Sequence, residues 1–419
     1  MAPAGGSVSE DLWTPAAVRR LLLDRVRPPP PRPAPLPQAS GLVLAEDLGA
    51  TADLPRFASS AMDGFALRAA DTAAAPVRLR VLGRALAGRP FPGEIAPGAA
   101  VAIATGAAMP TGADAVVPVE MAEFDGKMVV IDRAVEPGRH VRAAGEDLLA
   151  GTLVLPAGTI LGPGQLAAAA AMGRTQLIVH PRPIVSVVPT GDEVRPSGAA
   201  LGPGQVHDAV SAPLSALLAE VGAIADVRPV TPDDQAAIAE AVHAAAGTAD
   251  LILTIGGISV GERDLVRQLG GTIDLVPIQV AMRPGRPFAF GRVAGVPLCG
   301  LPGNPAAALA SFEELVRPVV LALQGKPPSP RATLRATLTA PIKLRPGRLH
   351  LVHCRIWWEA GRLRAQPLVG RGTSSFSAMA AGNALAVIPA DATDAPAGAE
   401  VAVRPLTEPP AVQADPPPA

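Results

Sequence analysis

Apolar runs of strand length, each broken by a polar turn that carries glycine, set the pattern of this chain. Residues 251–255 (LILTI) are apolar and rich in β-branched side chains, without polar alternation, and predict a central strand covered on both faces. The run stops at Gly256-Gly257 and gives way to Ser259, Gly261, Glu262 and Asp264. Paired glycines let a backbone turn tightly and approach a ligand, and in an open α/β sheet ligands bind outside the carboxyl ends of the strands. Residues 183–193 (PIVSVVPTGDE) have the same form and break into Thr190-Gly191-Asp192-Glu193. Residues 296–305 (VPLCGLPGNP) break into Pro302-Gly303-Asn304-Pro305, with a helix predicted over 306–316. Three strands ending in such turns point to one rim.

Other stretches have other periods. Residues 14–26 space Ala17, Leu21, Leu22 and Val26 along a helix face, with Thr14 as N-cap and Pro15 at the first position. The arginine-punctuated proline run 28–37 reads as a stiff polyproline strap. Residues 77–141 look all-β, with Thr105-Gly106 ending one strand and Thr111-Gly112 opening the next. Asp63-Gly64 fits a type I′ turn, which leaves the polar Ser59 and Ser60 before it unexplained. Residues 166–172 predict an alanine-rich helix. From residue 181 to about 324 strands and helices alternate, the βαβ signature. Residues 331–405 return to short strands, a small β domain, and the proline-rich end reads as a disordered tail.

Composition narrows the functions open to such a chain. Its 419 residues suffice for several domains. A net charge of −1 leaves no footprint for nucleic acid, and no apolar run is long enough for a membrane span. The first residues lack a signal-peptide pattern. Cys299 and Cys354 are isolated and read as buried free thiols in a reducing cytoplasm. The histidines form no ligand cluster with them, so no structural zinc is expected. Of 36 lysines and arginines only Lys127, Lys326 and Lys343 are lysine, which makes arginine the default cation.

The α/β stretch gathers acids at its turns: Asp192, Glu193, Asp208, Asp233, Asp234, Glu262 and Asp264. Carboxylates converging on one rim repel unless a cation joins them, and magnesium takes one or two carboxylates plus phosphate oxygens. Asp233 and Asp234 fit a helix cap equally well; Asp192, Asp208 and Asp264 are the better ligand candidates. Residues 282–287 (MRPGRP) hold Arg283 and Arg286 around a Pro-Gly turn. Two guanidinium groups on a rigid turn suit a phosphate or another oxyanion, and the bland alternative is a surface turn. The helix after Asn304 offers its N-terminus to an anion. The set suggests phosphoryl or nucleotidyl chemistry, although neither a P-loop nor a GxGxxG fingerprint is present.

Seven motifs in order carry a resemblance: SAMDGFA at 60–66, ATGAAMPTGADAVV at 104–117, GEDL at 145–148, PTGDE at 189–193, GGISVGERD at 256–264, RPGRPFAFG at 283–291 and LPGNPAAAL at 301–309. Together they resemble molybdopterin molybdenumtransferase, the MoeA and gephyrin E-domain family. The resemblance implies an α/β and β multidomain chain with a three-layer molybdopterin-binding α/β domain at 181–326. It adds an elongated dimerising domain at 10–53 plus 151–180, an inserted β domain at 54–150, a C-terminal β-barrel at 331–405 and a tail at 406–419. It implies a homodimer in which Asp63, Thr105 and Asp147 face the partner subunit's rim. The implied reaction joins molybdate to adenylylated molybdopterin, with magnesium and release of AMP. Asp192, Asp208 and Asp264 would hold magnesium, and Glu193 would share the catalytic rim. Thr190, Gly256, Gly257, Ser259, Arg283, Arg286, Pro302, Gly303, Asn304, Pro305 and Ser374 would bind substrate. Molybdopterin adenylyltransferase and molybdoenzyme maturation proteins would be partners in a cytoplasmic pathway.

The sequence departs from that family at three places. Lysines are usual where Arg283 and Arg286 stand, an asparagine where Val210 stands, and an arginine where His353 stands, with Arg355 two residues on. Thr373, Ser374 and Ser375 match a glycine-serine motif loosely. A molybdopterin adenylyltransferase, a paralogue that binds molybdopterin without inserting metal, and a scaffold on the same fold are the rival readings.

Overall fold

The computed structural model describes residues 12–257, 274–368, 375–392 and 394–410. It divides into two compact units, one of Pro33–Ser40 and Leu44–Leu177, the other of Met1–Arg32, Gly41–Val43 and Ile178–Ala419.

The smaller unit is built on a six-stranded sheet ordered Ala115–Pro118, Gly64–Leu67, Ala99–Ile103, Val77–Ala85, Met128–Ile131, Ala122–Phe124. Both faces are covered. Phe65, Leu67, Ala115 and Val117 enter one core and Ala66, Val101 and Val116 the other, so the inner strands show no polar alternation. The expected turn at Asp63-Gly64 is absent. Gly64 opens a strand paired with Val117-Pro118 and Ile103, without the positive φ that a type I′ turn needs. A Cβ on Gly64 would fall 2.0 Å from Val117 O, so close backbone approach is what requires glycine there. The alanine-rich helix runs Pro163–Ala171, three residues earlier than expected, because Pro163 presets its first turn.

The larger unit holds the α/β sheet, ordered Ile224–Val227, Ile184–Pro189, Leu251–Ile255, Val296–Leu301, Pro287–Val293, Asp274–Gln279. The first four are parallel, and Pro287–Val293 pairs antiparallel with both its neighbours, Val296–Leu301 and Asp274–Gln279. The alternating pattern anticipated the parallel part, with crossover helices Ser211–Glu220 and Gln235–Ala246. Leu251–Ile255 is central and buried throughout; Leu251, Leu253 and Ile255 feed one core and Ile252 the other. Ala294 and Gly295, both with positive φ, make the two-residue turn between the last parallel strand and its antiparallel neighbour.

The helix Pro15–Leu23 starts where Thr14 Oγ1 accepts from the Ala17 N–H at 3.2 Å. It buries Val18 and Leu22, followed by Val26, in the α/β core, while Ala17 is exposed. The inward stripe keeps Leu22 and Val26 as expected, with Leu21 packed against it, and takes Val18 in place of Ala17. The strands Leu349–Glu359, Arg362–Pro367, Leu334–Leu338, Glu400–Pro405 and Ala384–Ile388 close a five-stranded barrel through the pairing of the first with the last. Cys354, Ile356, Ala365, Ala386 and Val403 fill it. Residues 406–410, expected in the tail, are tied to the barrel: Leu406 N–H donates to Asn383 O at 2.7 Å and Trp358 N–H to Pro410 O at 2.9 Å. Residues 411–419 lie outside the described ones. Cys299 and Cys354 are buried free thiols; burial raises both, Cys354 to about 12, so neither is a nucleophile at neutral pH.

Candidate active site

The rim lies where the parallel strands end. Pro189 pairs with Ile255, and Ile255 with Leu301, so three carboxyl ends stand side by side. The antiparallel neighbour starts at the same edge, since Ala289 pairs with Gly300, and this sets the turn 283–286 beside 302–305. Backbone contacts lace the edge. Thr190 gives its N–H and its hydroxyl to Ile255 O at 2.9 and 3.0 Å, and Gly256 N–H donates to Leu301 O at 3.0 Å. Gly256 has φ +88°, and a Cβ on it would come within 3.1 Å of Thr190 O and Oγ1. Thr190 is buried and braces the rim, while Gly256 leaves the room above it.

A cavity of about 550 Å³ opens over this rim, lined by Glu193, Gly256, Gly257, Arg283, Arg286, Pro302, Gly303, Asn304 and Arg348. Asn304 Oδ1 accepts from the Ala307 N–H at 3.2 Å and caps the helix that begins at Pro305. Gly285, with φ +102°, packs so closely on the same helix that a Cβ would lie 2.7 Å from Ser311 Oγ. Arg283 and Arg286 project from that seated turn and are exposed. Among the described residues neither their side chains nor that of Arg348 makes a hydrogen bond or ion pair. Three free guanidinium groups around one glycine-floored cavity suit an oxyanion.

Arg283 and Pro284 also line a larger cavity of about 930 Å³, with Lys343, Arg345, His350, His353 and Ser375. Burial lowers the His353 pKa from its ordinary 6.5, and its Nδ1 is buried without a partner. The unfolded chain then binds this proton more readily than the folded one. His353 thus favours folding above pH 6.5, and that contribution is lost as pH falls below 6.5 toward the lowered value. Urea midpoints at pH 7.5 and 5.5 should show a drop that His353→Gln reduces; an equal drop in both proteins would contradict it.

The carboxylates are placed less uniformly. Asp192 is exposed, and its Oδ1 accepts from the Asp233 N–H at 3.1 Å. Asp208 Oδ1 accepts from Val210 and Ser211 N–H at 2.9 and 3.0 Å, which makes Asp208 a brace for the helix Ser211–Glu220. Asp234 caps the helix Gln235–Ala246 as expected, accepting from Ala237 N–H at 2.9 Å. Among the described residues no three His, Cys, Asp or Glu side chains converge on a metal position. Ser259, Glu262, Asp264 and Ser374 lie outside the described residues.

In the smaller unit Asp63 Oδ1 accepts from both the N–H and the hydroxyl of Thr105, at 2.7 and 2.9 Å. The Thr105 N–H, then its hydroxyl, holds the exposed Asp63 carboxyl below the usual carboxylate range. Asp147 is not brought to this pair. Ser60 pairs with Val141 and Leu54 with Leu148, which puts Asp63 and Asp147 at opposite ends of one paired stretch.

Arg348 escaped the sequence reading, though its signal was present: Arg345-Pro346-Gly347-Arg348 repeats the Arg283-Pro284-Gly285-Arg286 turn. What joins the two is a parallel pairing of Met282 with Leu349 and Arg283 with His350, between residues far apart in sequence.

Comparison with known proteins agrees with this architecture. Residues 14–173 match the MoeA N-terminal region (domain I and II), 186–322 a probable molybdopterin binding domain, and 335–406 the MoeA C-terminal region (domain IV). Molybdopterin molybdenumtransferase 2 of Mycobacterium tuberculosis is 38% identical over 93% of this chain and 98% of its own. Molybdopterin molybdenumtransferase of Haemophilus influenzae is 33% identical over 88% and 93%. A solved structure of the molybdopterin biosynthesis MoeA protein from Pyrococcus horikoshii superposes with a TM-score of 0.83 at 28% identity, covering 95% of this chain and all of that one. With motifs, domains and fold in agreement, the chain belongs to the molybdopterin molybdenumtransferase family.

Proposed function

We propose that this chain inserts molybdenum into molybdopterin. It takes adenylylated molybdopterin and molybdate as substrates, the phosphoanhydride is hydrolysed, AMP leaves, and the dithiolene sulfurs capture the metal. The observation that carries this reading is the arginine-lined cavity of about 550 Å³ on a glycine rim, in a chain of this family. Arg283 and Arg286 neutralise the phosphate oxygens and molybdate, where their forked donors meet oxygens in pairs. Glu193, the one carboxylate among the described residues lining the cavity, takes the proton of the attacking water. The turn Pro302–Gly303–Asn304–Pro305 shapes the floor. No protein thiol enters, in keeping with two buried, protonated cysteines.

Magnesium is part of the proposal. Asp192 and Asp208 each spend Oδ1 on backbone N–H groups, while Oδ2 makes no hydrogen bond among the described residues. Such oxygen donors fit an ion that binds carboxylates and completes its shell with water and phosphate oxygens, and Asp264 would be a third carboxylate ligand. When bound, it supplies charge neutralisation at phosphate and a more acidic water. The chain acts in the cytoplasm as a homodimer to which Asp63, Thr105 and Asp147 of the partner subunit contribute. Among the described residues no helix is long and apolar enough to cross a membrane.

Purified protein mixed with adenylylated molybdopterin, magnesium and molybdate should release AMP only when molybdate is present, and form active molybdenum cofactor in step. Substrate that binds and stays intact would sink the transferase reading and favour the paralogue.

A further inference from the structure

We propose that Arg348, delivered by the C-terminal barrel, is a third anion-binding residue of the rim cavity, and that the buried Glu314–Arg404 pair positions it. The inference rests on the phosphate-handling reading of that cavity. Arg348 stands directly before the barrel strand Leu349–Glu359. Leu349 N–H donates to Ala281 O at 2.9 Å, and Met282 and Arg283 pair with Leu349 and His350, so Arg348 emerges beside the strand that carries Arg283. It lines the cavity with Arg283 and Arg286.

Among the described residues the charge pattern groups Arg348 with Arg283 and Arg286, whose side chains also lack a carboxylate partner. Arg19, Arg317, Arg331 and Arg404, in the same unit, all pair with glutamates. Arg348 is half-buried and has no such partner among the described residues. A cation drawn partly out of water beside two like charges is unfavourable until an anion joins them. Three forked guanidinium groups suit a multiply charged oxyanion of the phosphate class better than a monoanion.

Its placement depends on how the barrel is held. Glu314 and Arg404 meet at 2.5 Å, with side chains 3% and 7% exposed, and Glu314 also takes Arg19. Glu314 lies in the π-helical turn Phe312–Val316, which continues the helix whose start is the cavity floor. Arg404 pairs with Leu385, and Leu385 with His353 on the strand that follows Arg348. The ion pair thus joins the helix beneath the cavity to the barrel wall that delivers Arg348. Glu314 acts through Arg348 and is a positioning residue.

Titration of the full chain with AMP tests both parts. Arg348→Ala should raise the AMP Kd by about tenfold or more, and Arg348→Lys by less. Glu314→Gln should raise it by about threefold or more in the native background, with no further rise on top of Arg348→Ala. Urea midpoints of each variant confirm that the folded chain is compared. If Arg283→Ala weakens AMP and Arg348→Ala leaves its Kd unchanged, this inference falls alone. If neither changes it, the cavity reading falls with it. An equal loss for Glu314→Gln in both backgrounds would reduce Glu314 to a structural role and overturn the second part.

Discussion

Arg283→Ala is expected to lower kcat/KM for molybdate-dependent AMP release by about 10²–10³, the usual cost of removing one donor aimed at developing oxyanion charge. Arg283 is the cation shared by the rim cavity and its larger neighbour, so it can serve both the phosphate and the incoming molybdate. Its turn is seated on the helix below by Gly285, so truncating the side chain leaves the backbone in place. Arg283→Lys keeps the charge and loses the fork, and it should recover part of the rate. Steady-state kinetics with both substrates varied separates the two roles. A loss of less than about fivefold for Arg283→Ala would remove it from the transition state.

The second large effect is on stability. Glu313 is 2% exposed and holds Arg331 with both oxygens, at 2.8 and 3.1 Å, while Arg331 and Arg317 reach on to Glu220 at 2.7 and 3.2 Å. Removing Glu313 leaves Arg331 and Arg317 sharing the more exposed Glu220, short of their buried partner, so Glu313→Ala should cost about 3–5 kcal/mol. Trp13, Trp357 and Trp358 all belong to the larger unit, so tryptophan fluorescence in urea reads this loss there. A midpoint unchanged from the native chain would mean that Arg331 is satisfied without Glu313.

The parts legible in the sequence were those set by short-range patterns. Unbroken apolar runs gave the parallel strands, and the turns after Pro189, Ile255 and Leu301 do meet at one rim. The Arg283-Pro284-Gly285-Arg286 turn was visible as a rigid pair of cations, and it lines the cavity. Local signals misled where two causes share one residue. Gly64 looks like a turn glycine after Asp63, but the reason for it is Val117 across the sheet, which no local window contains. Asp208 reads as a ligand among rim acids, and its Oδ1 also braces the start of a helix, a second role that spacing does not show. The ion pairs of Glu314 with Arg19 and Arg404 join residues 295 and 90 positions apart, and nothing in the spacing of arginines and glutamates announces them. Arg348 carries a local signal in its Arg-Pro-Gly-Arg repeat, but its place at the rim comes from the pairing of residues 282–283 with 349–350.

The rim cavity is proposed to hold the phosphate of the adenylylated substrate. A crystal structure of the full chain with AMP and magnesium tests it most directly. Phosphate density is expected over Gly256-Gly257, within hydrogen-bond reach of Arg283 or Arg286. Well-ordered AMP elsewhere, with both arginines turned to solvent, would contradict it.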